Sequence, residues 1–413
     1  MVVPGSESRM AGMKLGTAGA APWIVALELS VMFLAATLPT PLYPLYRQTF
    51  GFGGITLTLI YAVYVLGNLT ALLFFGRLSD QAGRLRATRP AIIVAIISTL
   101  TFLFAQATGW LFVARGLSGF ATGLASGAAT AWIMELLPED RKRQASAMAS
   151  SANFAGLALA PLLSGALAQL APAPLRLAYL LLLVLLVGIA VGIGWAPETV
   201  KDPRHHLSEL SFQPRLGLPQ EIRTEFVAPA ITGFVTFALL GFYAALIPNL
   251  LARSMGETSP LLAGAVVCEL FAIGTLAAIL AGRLRPRPTM LSGLALLVPG
   301  LGLLVLAQVL SALWLLFVAT AIGGIAAGFG YSGSLEVINT IAPEEKRGEV
   351  VSSYLVTLYL GNSLPVIGVG LLTAAAGSLV AHAVFAIIIA LMACAALIFG
   401  ARHAPQHSSR GIC

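Results

Sequence analysis

The stretch "LPEDRKR" at residues 137–143 reveals how this sequence is organised, because it recurs as "APEEKRG" at residues 342–348. The two copies begin 205 residues apart, at 137 and 342, which is about half of the 413-residue chain. Glycines around the first copy recur around the second: Gly119, Gly123, Gly156 and Gly165 are matched by Gly324, Gly328, Gly361 and Gly370. A repeat with this period predicts a chain built from two equivalent halves.

The segments around these polar copies are strongly apolar. Hydrophobic residues make up 58% of the chain and charged residues 10%, with a mean hydropathy of +0.90, which indicates a lipid environment. A helix needs about 20 apolar residues to cross a bilayer. Twelve such segments can be read: 29–46, 48–76, 90–114, 116–134, 144–175, 177–197, 226–252, 258–281, two within 288–335 and two within 350–401. The alternation that a membrane β-barrel requires is missing from them. The sequence therefore predicts an all-α integral membrane protein with twelve transmembrane helices, six in each half.

The distribution of basic residues predicts the orientation of these helices. All but four of the 24 lysines and arginines fall in one set of connecting segments and termini; Arg47, Arg176 and Arg253 lie on the opposite side, and Arg115 lies within a helix. The positive-inside rule places the basic set, and with it both termini, in the cytoplasm. We expect a location in the inner membrane of a bacterial cell. The net charge of +7 then follows from topology, and nucleic-acid binding is not expected.

The longest polar segment separates the two halves. It runs from Pro197 to Phe226 and is expected to form a cytoplasmic linker, which a short surface helix would fit. We therefore predict an N-terminal six-helix domain at 1–197, the linker at 198–225 and a C-terminal six-helix domain at 226–413. Two such halves with a substrate site between them at mid-membrane suit transport by alternating access.

Metal and enzyme chemistry are not indicated by the sequence. The spacing of Cys268, Cys394 and Cys413 fits neither a metal cluster nor a disulfide framework. The pair His403 and His407 is better explained by a solvated tail than by a metal site. Neither a nucleophile with its base nor a phosphate-binding loop can be recognised. We expect no cofactor, no bound metal and no enzymatic activity.

The loop after the second predicted helix reads "GRLSDQAGRLR" at residues 76–86. Gly76 is expected to let the end of the helix approach a neighbour, and Gly83 is expected to permit a tight turn. Asp80 can accept hydrogen bonds from basic side chains and from amides at a helix N-terminus. Such a group would hold one conformation closed on the cytoplasmic side, whereas the alternative is an ordinary charged turn.

This loop is similar to the signature loop of the major facilitator superfamily, and the resemblance extends over the whole chain. It implies the fold of that superfamily and a cytoplasmic gate in which Asp80 and Arg84 pair with Glu135 at the end of helix 4. Gln81 stands where the family usually has a basic residue. In the second half the matching stretch "GRLRPRP" at 282–288 lacks the acid.

Helix 4 carries small residues at every fourth position after Arg115, beginning with Gly119 and Gly123. Small residues at this interval allow close helix contact, whereas an arginine inside the membrane needs a partner or a wet cavity. The pattern resembles the helix 4 motif of the superfamily, whose arginine is associated with proton coupling. An arginine that snorkels to the outer surface is the alternative. The matching residue of the second half is Thr320.

Helix 5 contains "GLALAPLLSG" at residues 156–165. Pro161 frees a backbone carbonyl and is expected to bend the helix, and Gly156 and Gly165 allow a neighbouring helix to pack closely. The pattern resembles that of the antiporter branch of the superfamily, where glycines are usual at the places of Ala160 and Ser164. A generic proline kink is the alternative.

Three carboxylates interrupt the apolar segments. Glu28 lies in "IVALELSVMF" at residues 24–33, Glu269 lies midway along helix 8, and Glu336 lies about two turns before the end of helix 10. An ionised side chain near the bilayer centre costs about 2.5 to 3.5 kcal/mol. We therefore expect these acids to face the transport cavity and, with Arg115, to bind substrate or carry protons. Protonated acids hydrogen-bonded within the helix bundle are the alternative.

Together these features predict a monomeric transporter that exports small organic molecules across the lipid bilayer in exchange for protons. The motif pattern is most similar to that of the drug/proton antiporters of the superfamily. An uptake symporter or uniporter of the same fold is the first alternative. A membrane sensor that keeps the fold without transport is the second.

Overall fold

A computed structural model describes residues 6–201, 203–204, 211–212, 214 and 216–403, with side chains from residue 19 onward except those of 143 and 403. Within this part of the chain the regular elements are helices. Eight α-helices precede the linker: α1 (Ser6–Thr37), α2 (Tyr43–Phe50), α3 (Gly54–Phe75), α4 (Leu78–Ala82), α5 (Arg84–Leu103), α6 (Thr108–Leu136), α7 (Lys142–Leu170) and α8 (Pro174–Gly192). Six follow it: α9 (Arg223–Ser254), α10 (Pro260–Ala281), α11 (Pro286–Val309), α12 (Leu313–Ile341), α13 (Arg347–Ala376) and α14 (Ser378–His403).

Eleven segments of the described chain are helical, long and apolar enough to cross a membrane. They include every long helix except α6, whose hydropathy is lowered by Arg115, Glu135 and several glycines. With 29 residues α6 is roughly 44 Å long, which is sufficient to span a bilayer. With α6, the long helices correspond in order to the twelve predicted spans, and the predicted all-α architecture is confirmed.

Several helix boundaries differ from the predicted ones because hydropathy does not define helix ends, and two of them are instructive. α5 begins at Arg84, six residues before the predicted start at Pro90, because a basic turn extends the helix beyond its apolar part. The first span is interrupted at its outer end, where α1 stops at Thr37 and a short 3-10 helix (Thr40–Leu42) leads into α2. Prolines in this break cannot donate the amide hydrogen bonds of a continuous helix.

Contacts divide the chain into two compact units. One contains Met1–Pro214 with Ser259–Cys268, and the other contains Arg215–Thr258 with Glu269–Cys413. Each has its own buried apolar core, around Trp132 in the first and around Tyr354 in the second. Large apolar side chains are also exposed on the helices, as hydrocarbon-facing surfaces require: Leu66, Val184 and Leu391 are examples.

Two features of the sequence lie partly outside the described residues. The linker is described only at some positions after Lys201, so the surface helix suggested for it lies outside the described residues. The same holds for the tail that contains His407 and Cys413.

Candidate functional site

Glu28 lies inside α1 and is completely buried. Neither oxygen of its carboxyl group has a hydrogen-bond partner among the described residues. Two residues further on, the backbone carbonyl of Ser30 lies against Gly156 of α7, so this part of α1 is tightly packed. Among the described residues the carboxyl group therefore lacks the internal hydrogen bonds that the alternative interpretation requires.

Arg115 is also buried, with 1% of its surface exposed. Its guanidinium donates a hydrogen bond of 2.7 Å to the backbone carbonyl of Ala36 and lies over the rings of Tyr64 and Tyr61, at 4.5 and 5.6 Å from their centres. These contacts turn the side chain into the unit and away from the surface, in contrast to the snorkelling alternative. Ala36 lies eight residues beyond Glu28, or about 12 Å along a helix. The structure therefore does not pair Arg115 with Glu28.

Glu269 and Glu336 have different surroundings. Glu269 of α10 is partly buried, and its Oε2 has no hydrogen-bond partner among the described residues. It lies within electrostatic range of Tyr243 of α9, whose hydroxyl oxygen is 3.1 Å from that of Thr320 of α12. Glu336 is exposed. The three acids predicted to share one site thus differ in burial, and only Glu28 is fully enclosed.

Arg84 links the residues of the predicted gate. Its guanidinium forms ion pairs with Asp80 and Glu135 and donates a hydrogen bond of 2.8 Å to Ser79. The pair with Glu135 has a second contact of 3.0 Å from Nε, which makes it bidentate. Asp80 is 62% exposed and Glu135 only 37%, so the pair with Glu135 is less screened by solvent. The structure therefore brings together the three residues that the family resemblance implied.

Glu198 completes this cluster, and the sequence analysis did not identify it. Its carboxylate accepts hydrogen bonds from the backbone amides of Arg84 and Leu85, at 2.9 and 3.1 Å, and thereby caps the N-terminus of α5. The adjacent Thr199 donates a hydrogen bond to Glu135. The available signal was an acid placed directly after the last residue of the sixth predicted span, which we had assigned to the linker.

A tryptophan fixes the same segment to α6. The indole Nε1 of Trp132 donates a hydrogen bond of 2.9 Å to the backbone carbonyl of Pro197. Trp132 is completely buried. The first residues of the linker are therefore held against the gate cluster by contacts on both sides of Glu198.

The two glycines of the gate loop behave differently. Gly83 has φ of +104°, a conformation that residues with a side chain rarely adopt, and a Cβ there would approach Oε2 of Glu198 to 2.6 Å. The predicted tight turn at Gly83 is therefore present. At Gly76 a Cβ would meet the carbonyl oxygen of Leu72 in the preceding turn of its own helix. The close approach of a neighbouring helix that we expected at Gly76 is not observed.

The glycines of the fourth predicted span, which is α6, make the predicted close contacts. A Cβ on Gly119 would fall on the carbonyl oxygen of Tyr64 in α3, and one on Gly123 would lie 2.7 Å from that of Asn68. The two backbones therefore approach each other closely along this face.

The glycines of the fifth predicted span, which is α7, contact two different helices. Gly156 lies against the carbonyl of Ser30 in α1, and Gly165 lies against that of Pro260 in α10. The carbonyl of Pro161 is in turn covered by Gly264. Pro161 lies within α7, which continues through it. The motif therefore supplies contact surfaces for α1 and for the start of α10.

Comparison with known proteins gives the family. The family model described as Major Facilitator Superfamily matches residues 26–364 and 229–411. Multidrug resistance protein D of Escherichia coli K12 is 30% identical over 155 residues, which cover 36% of this chain and 38% of that protein. The match thus spans well under half of either protein.

Solved structures have the same fold. A bacterial homolog of the human lysosomal transporter Spinster, in its inward-facing unoccupied conformation, superposes with a TM-score of 0.72 at 16% identity, covering 95% of this chain and 99% of that one. Its inward-facing occupied conformation gives a TM-score of 0.73 at 17% identity, with 93% and 97% coverage. At these identities the likeness establishes the fold and nothing more.

The family match extends over most of the chain and agrees with the helical architecture and the gate motif. Membership also confirms the expectation that the chain is not an enzyme, since the family consists of transporters. The chain therefore belongs to the Major Facilitator Superfamily and is a multi-pass membrane transporter.

Proposed function

We propose that this protein exports small organic molecules from a bacterial cytoplasm in exchange for protons, by alternating access. It acts as a monomer in the inner membrane, with both termini in the cytoplasm. The substrate class is suggested by the partial similarity to Multidrug resistance protein D and by the helix 4 and helix 5 motifs. In this proposal Asp80, Arg84 and Glu135 hold the cytoplasmic gate.

The observation that carries the proposal is the environment of Glu28. It is an acid in a transporter, fully buried in a membrane helix, with no hydrogen-bond partner among the described residues. A buried charge without a partner is costly, so the group must take up a proton or meet a cation whenever water is excluded. Cyclic loss and gain of that proton is what exchange requires. We also assign Glu269, which is partly buried, to substrate or proton binding, and these acids favour neutral and cationic substrates when they ionise. Arg115 is assigned to proton coupling, as the helix 4 motif that it resembles implies.

The energy of one proton is sufficient for this task. Entry of one charge across about 100 mV releases roughly 2.3 kcal/mol. One unit of pH difference adds about 1.4 kcal/mol. Together these two terms amount to about 3.7 kcal/mol, which supports a several-hundredfold outward gradient of a neutral solute. A second coupling acid is therefore not required.

The test compares wild type, Glu28→Gln and an empty vector in a bacterium that lacks its own drug pumps. Intracellular accumulation of a panel of cationic and neutral compounds is measured with and without a protonophore. Glu221→Gln is the matched control, because Glu221 is exposed in the last part of the linker, just before α9. We expect wild type and Glu221→Gln to lower the accumulation of at least one compound severalfold, and Glu28→Gln or the protonophore to abolish this effect.

Other outcomes would change the assignment. Accumulation above the empty-vector level in wild type, dependent on an imposed pH gradient, would indicate an uptake symporter. Full export by Glu28→Gln would contradict the role of this acid. Equal accumulation of all tested solutes with wild type and empty vector would count against broad drug export and favour uptake of a narrow nutrient.

A further inference from the structure

The surroundings of Arg115 form a second buried polar group, separate from Glu28. No carboxylate forms an ion pair with Arg115 in the described part of the chain, where the ion pairs found involve Arg84 and Lys142. Its Nε also has no hydrogen-bond partner there. One backbone carbonyl and two aromatic faces offset the charge only in part. A buried cation in this state calls for a negative partner.

Three tyrosine hydroxyls beside it are unsatisfied as well. Tyr43, Tyr46 and Tyr179 are each at most 2% exposed, and none of their hydroxyl groups has a hydrogen-bond partner among the described residues. They are nevertheless neighbours: Tyr43 and Arg115, and Tyr46 and Tyr179, lie close enough to interact without forming a regular hydrogen bond. Tyr179 also interacts with Tyr43 and Arg115. A phenolic hydroxyl can donate one hydrogen bond. The group thus combines a positive charge with phenolic hydroxyls that form no regular hydrogen bond among the described residues.

The group lies toward the predicted outer side of the first unit. Arg115 comes seven residues after the start of α6, and Tyr179 comes five residues after the start of α8, which places them about 11 and 8 Å along these helices. Tyr43 and Tyr46 belong to α2, at the outer end of the first span. A ligand of this group would therefore come from the outer side.

We propose that Arg115, Tyr43, Tyr46 and Tyr179 bind a compact monovalent anion such as chloride. The guanidinium supplies the charge, and the phenolic hydroxyls supply hydrogen bonds that a halide or a carboxylate oxygen accepts. A cation is repelled by Arg115. The inference does not depend on the direction of transport or on the role of Glu28, and its test measures binding and not transport.

The test uses the purified full chain in detergent. Its Tm is measured as sodium gluconate is replaced by sodium chloride or by sodium acetate at constant ionic strength. We expect a saturable rise of Tm in chloride for wild type and a loss of apparent affinity of about tenfold in Tyr46→Phe and in Tyr179→Phe, as for removal of one hydrogen bond to a charged group. Tyr354→Phe is the control, because this buried hydroxyl pairs with Ser334 in the second unit. A larger effect of acetate than of chloride would assign the site to carboxylates.

Two results would overturn the proposal. One is a Tm that is the same in gluconate, chloride and acetate. The other is an unchanged chloride dependence in the double variant Tyr46→Phe/Tyr179→Phe, measured both by Tm and by equilibrium dialysis with radioactive chloride. A further variant, Arg115→Lys, keeps the charge but loses the planar arrangement of donors. If this variant does not fold, the tyrosine variants still decide the outcome.

Discussion

The two halves of the repeat share their glycine contacts but not their charges. In the first half, Gly119 of α6 lies against the backbone carbonyl of Tyr64 in α3. In the second half, Gly324 of α12 lies against that of Leu270 in α10, where a Cβ would come within 2.9 Å of the oxygen. The same helix crossing is therefore built twice, with the closer approach at Gly119 in the first half and at Gly328 in the second.

A second pair of contacts fixes the alignment of the first helix of each half. Gly156 of α7 lies against the carbonyl of Ser30, and Gly361 of α13 lies against that of Phe234. Ser30 and Phe234 are therefore equivalent positions. Counting back two residues on each helix gives the counterpart of the buried acid, which is Thr232.

Glu28 and Arg115 of the first half thus correspond to Thr232 and Thr320 of the second. Both threonines are buried, and each hydroxyl bonds a carbonyl of its own helix, at 2.7 Å for Thr232 and 2.8 Å for Thr320. Every half needs glycines where its helices cross, because backbones must approach closely there. A buried charge is costly and is needed only once for each proton carried. The repeat therefore separates the glycine contacts that both halves need for the fold from the charges that our proposal assigns to transport.

The largest expected effect is on folding and comes from Gly119→Ala. The added methyl group meets the backbone of α3 and not a movable side chain, so we expect a loss of about 3 kcal/mol, at the upper end for overpacking. Gly324→Ala should cost less because the contact there is looser. Gly127→Ala is the control on the same helix, since its Cβ would meet nothing within 4 Å. Tm values from heating followed by size-exclusion chromatography test this order.

The comparison would fail if Gly324→Ala proved as damaging as Gly119→Ala. It would also fail if Gly127→Ala lowered Tm as much as either of them. Both results would mean that loss of helix flexibility, and not the closeness of the crossing, controls the effect.

The sequence predicted what depends on local spacing. Apolar segments of about 20 residues located the helices. The cluster of Asp80, Arg84 and Glu135 was implied by the family resemblance and not by helical spacing, since Gly83 separates the helix of Asp80 from that of Arg84. The contact between Arg84 and Glu135 could be predicted because the family motif links the two distant segments that contain these residues. Such features are encoded either within one apolar segment or in a motif that can be recognised.

What the sequence did not predict depends on contacts between distant segments. Glu198 caps α5 from 114 residues away, and no local pattern encodes that hydrogen bond. The inward orientation of Arg115 depends on a carbonyl of α1 and on rings of α3. At Gly76 we expected a contact with a neighbouring helix from residue type alone, but the backbone near this glycine is that of Leu72 in the preceding turn.

A smaller effect is expected at the proposed gate, whose acid Asp80 has no counterpart in the matching stretch of the second half. Arg84→Ala leaves Glu135 and Asp80 without their cation, and because both acids are partly exposed we expect a cost of about 1 to 3 kcal/mol, less than for a fully buried pair. If the pair holds the gate, transport should fall about tenfold. Arg89→Ala is the control, because Arg89 lies exposed on the same helix. Substrate efflux rate and Tm are measured together.

An Arg84→Ala protein that transports like wild type and loses only Tm would show that the cluster is structural. Equal losses in Arg84→Ala and Arg89→Ala would show that positive charge near the membrane surface, and not the ion pair, is what matters.

The smallest expected effect is at the counterpart of Glu28. Thr232→Val keeps the shape of the side chain and removes one hydroxyl, whose partner, the carbonyl of Ala228, belongs to a helix that continues on both sides. We therefore expect a cost of about 1 kcal/mol or less, and substrate-induced proton movement within twofold of wild type. A pH-sensitive dye in inverted membrane vesicles measures that movement when substrate is added. Loss of proton movement in Thr232→Val would mean that coupling involves both halves. The proton path would then not be confined to the first half, and Glu28 and Thr232 would have different roles within it.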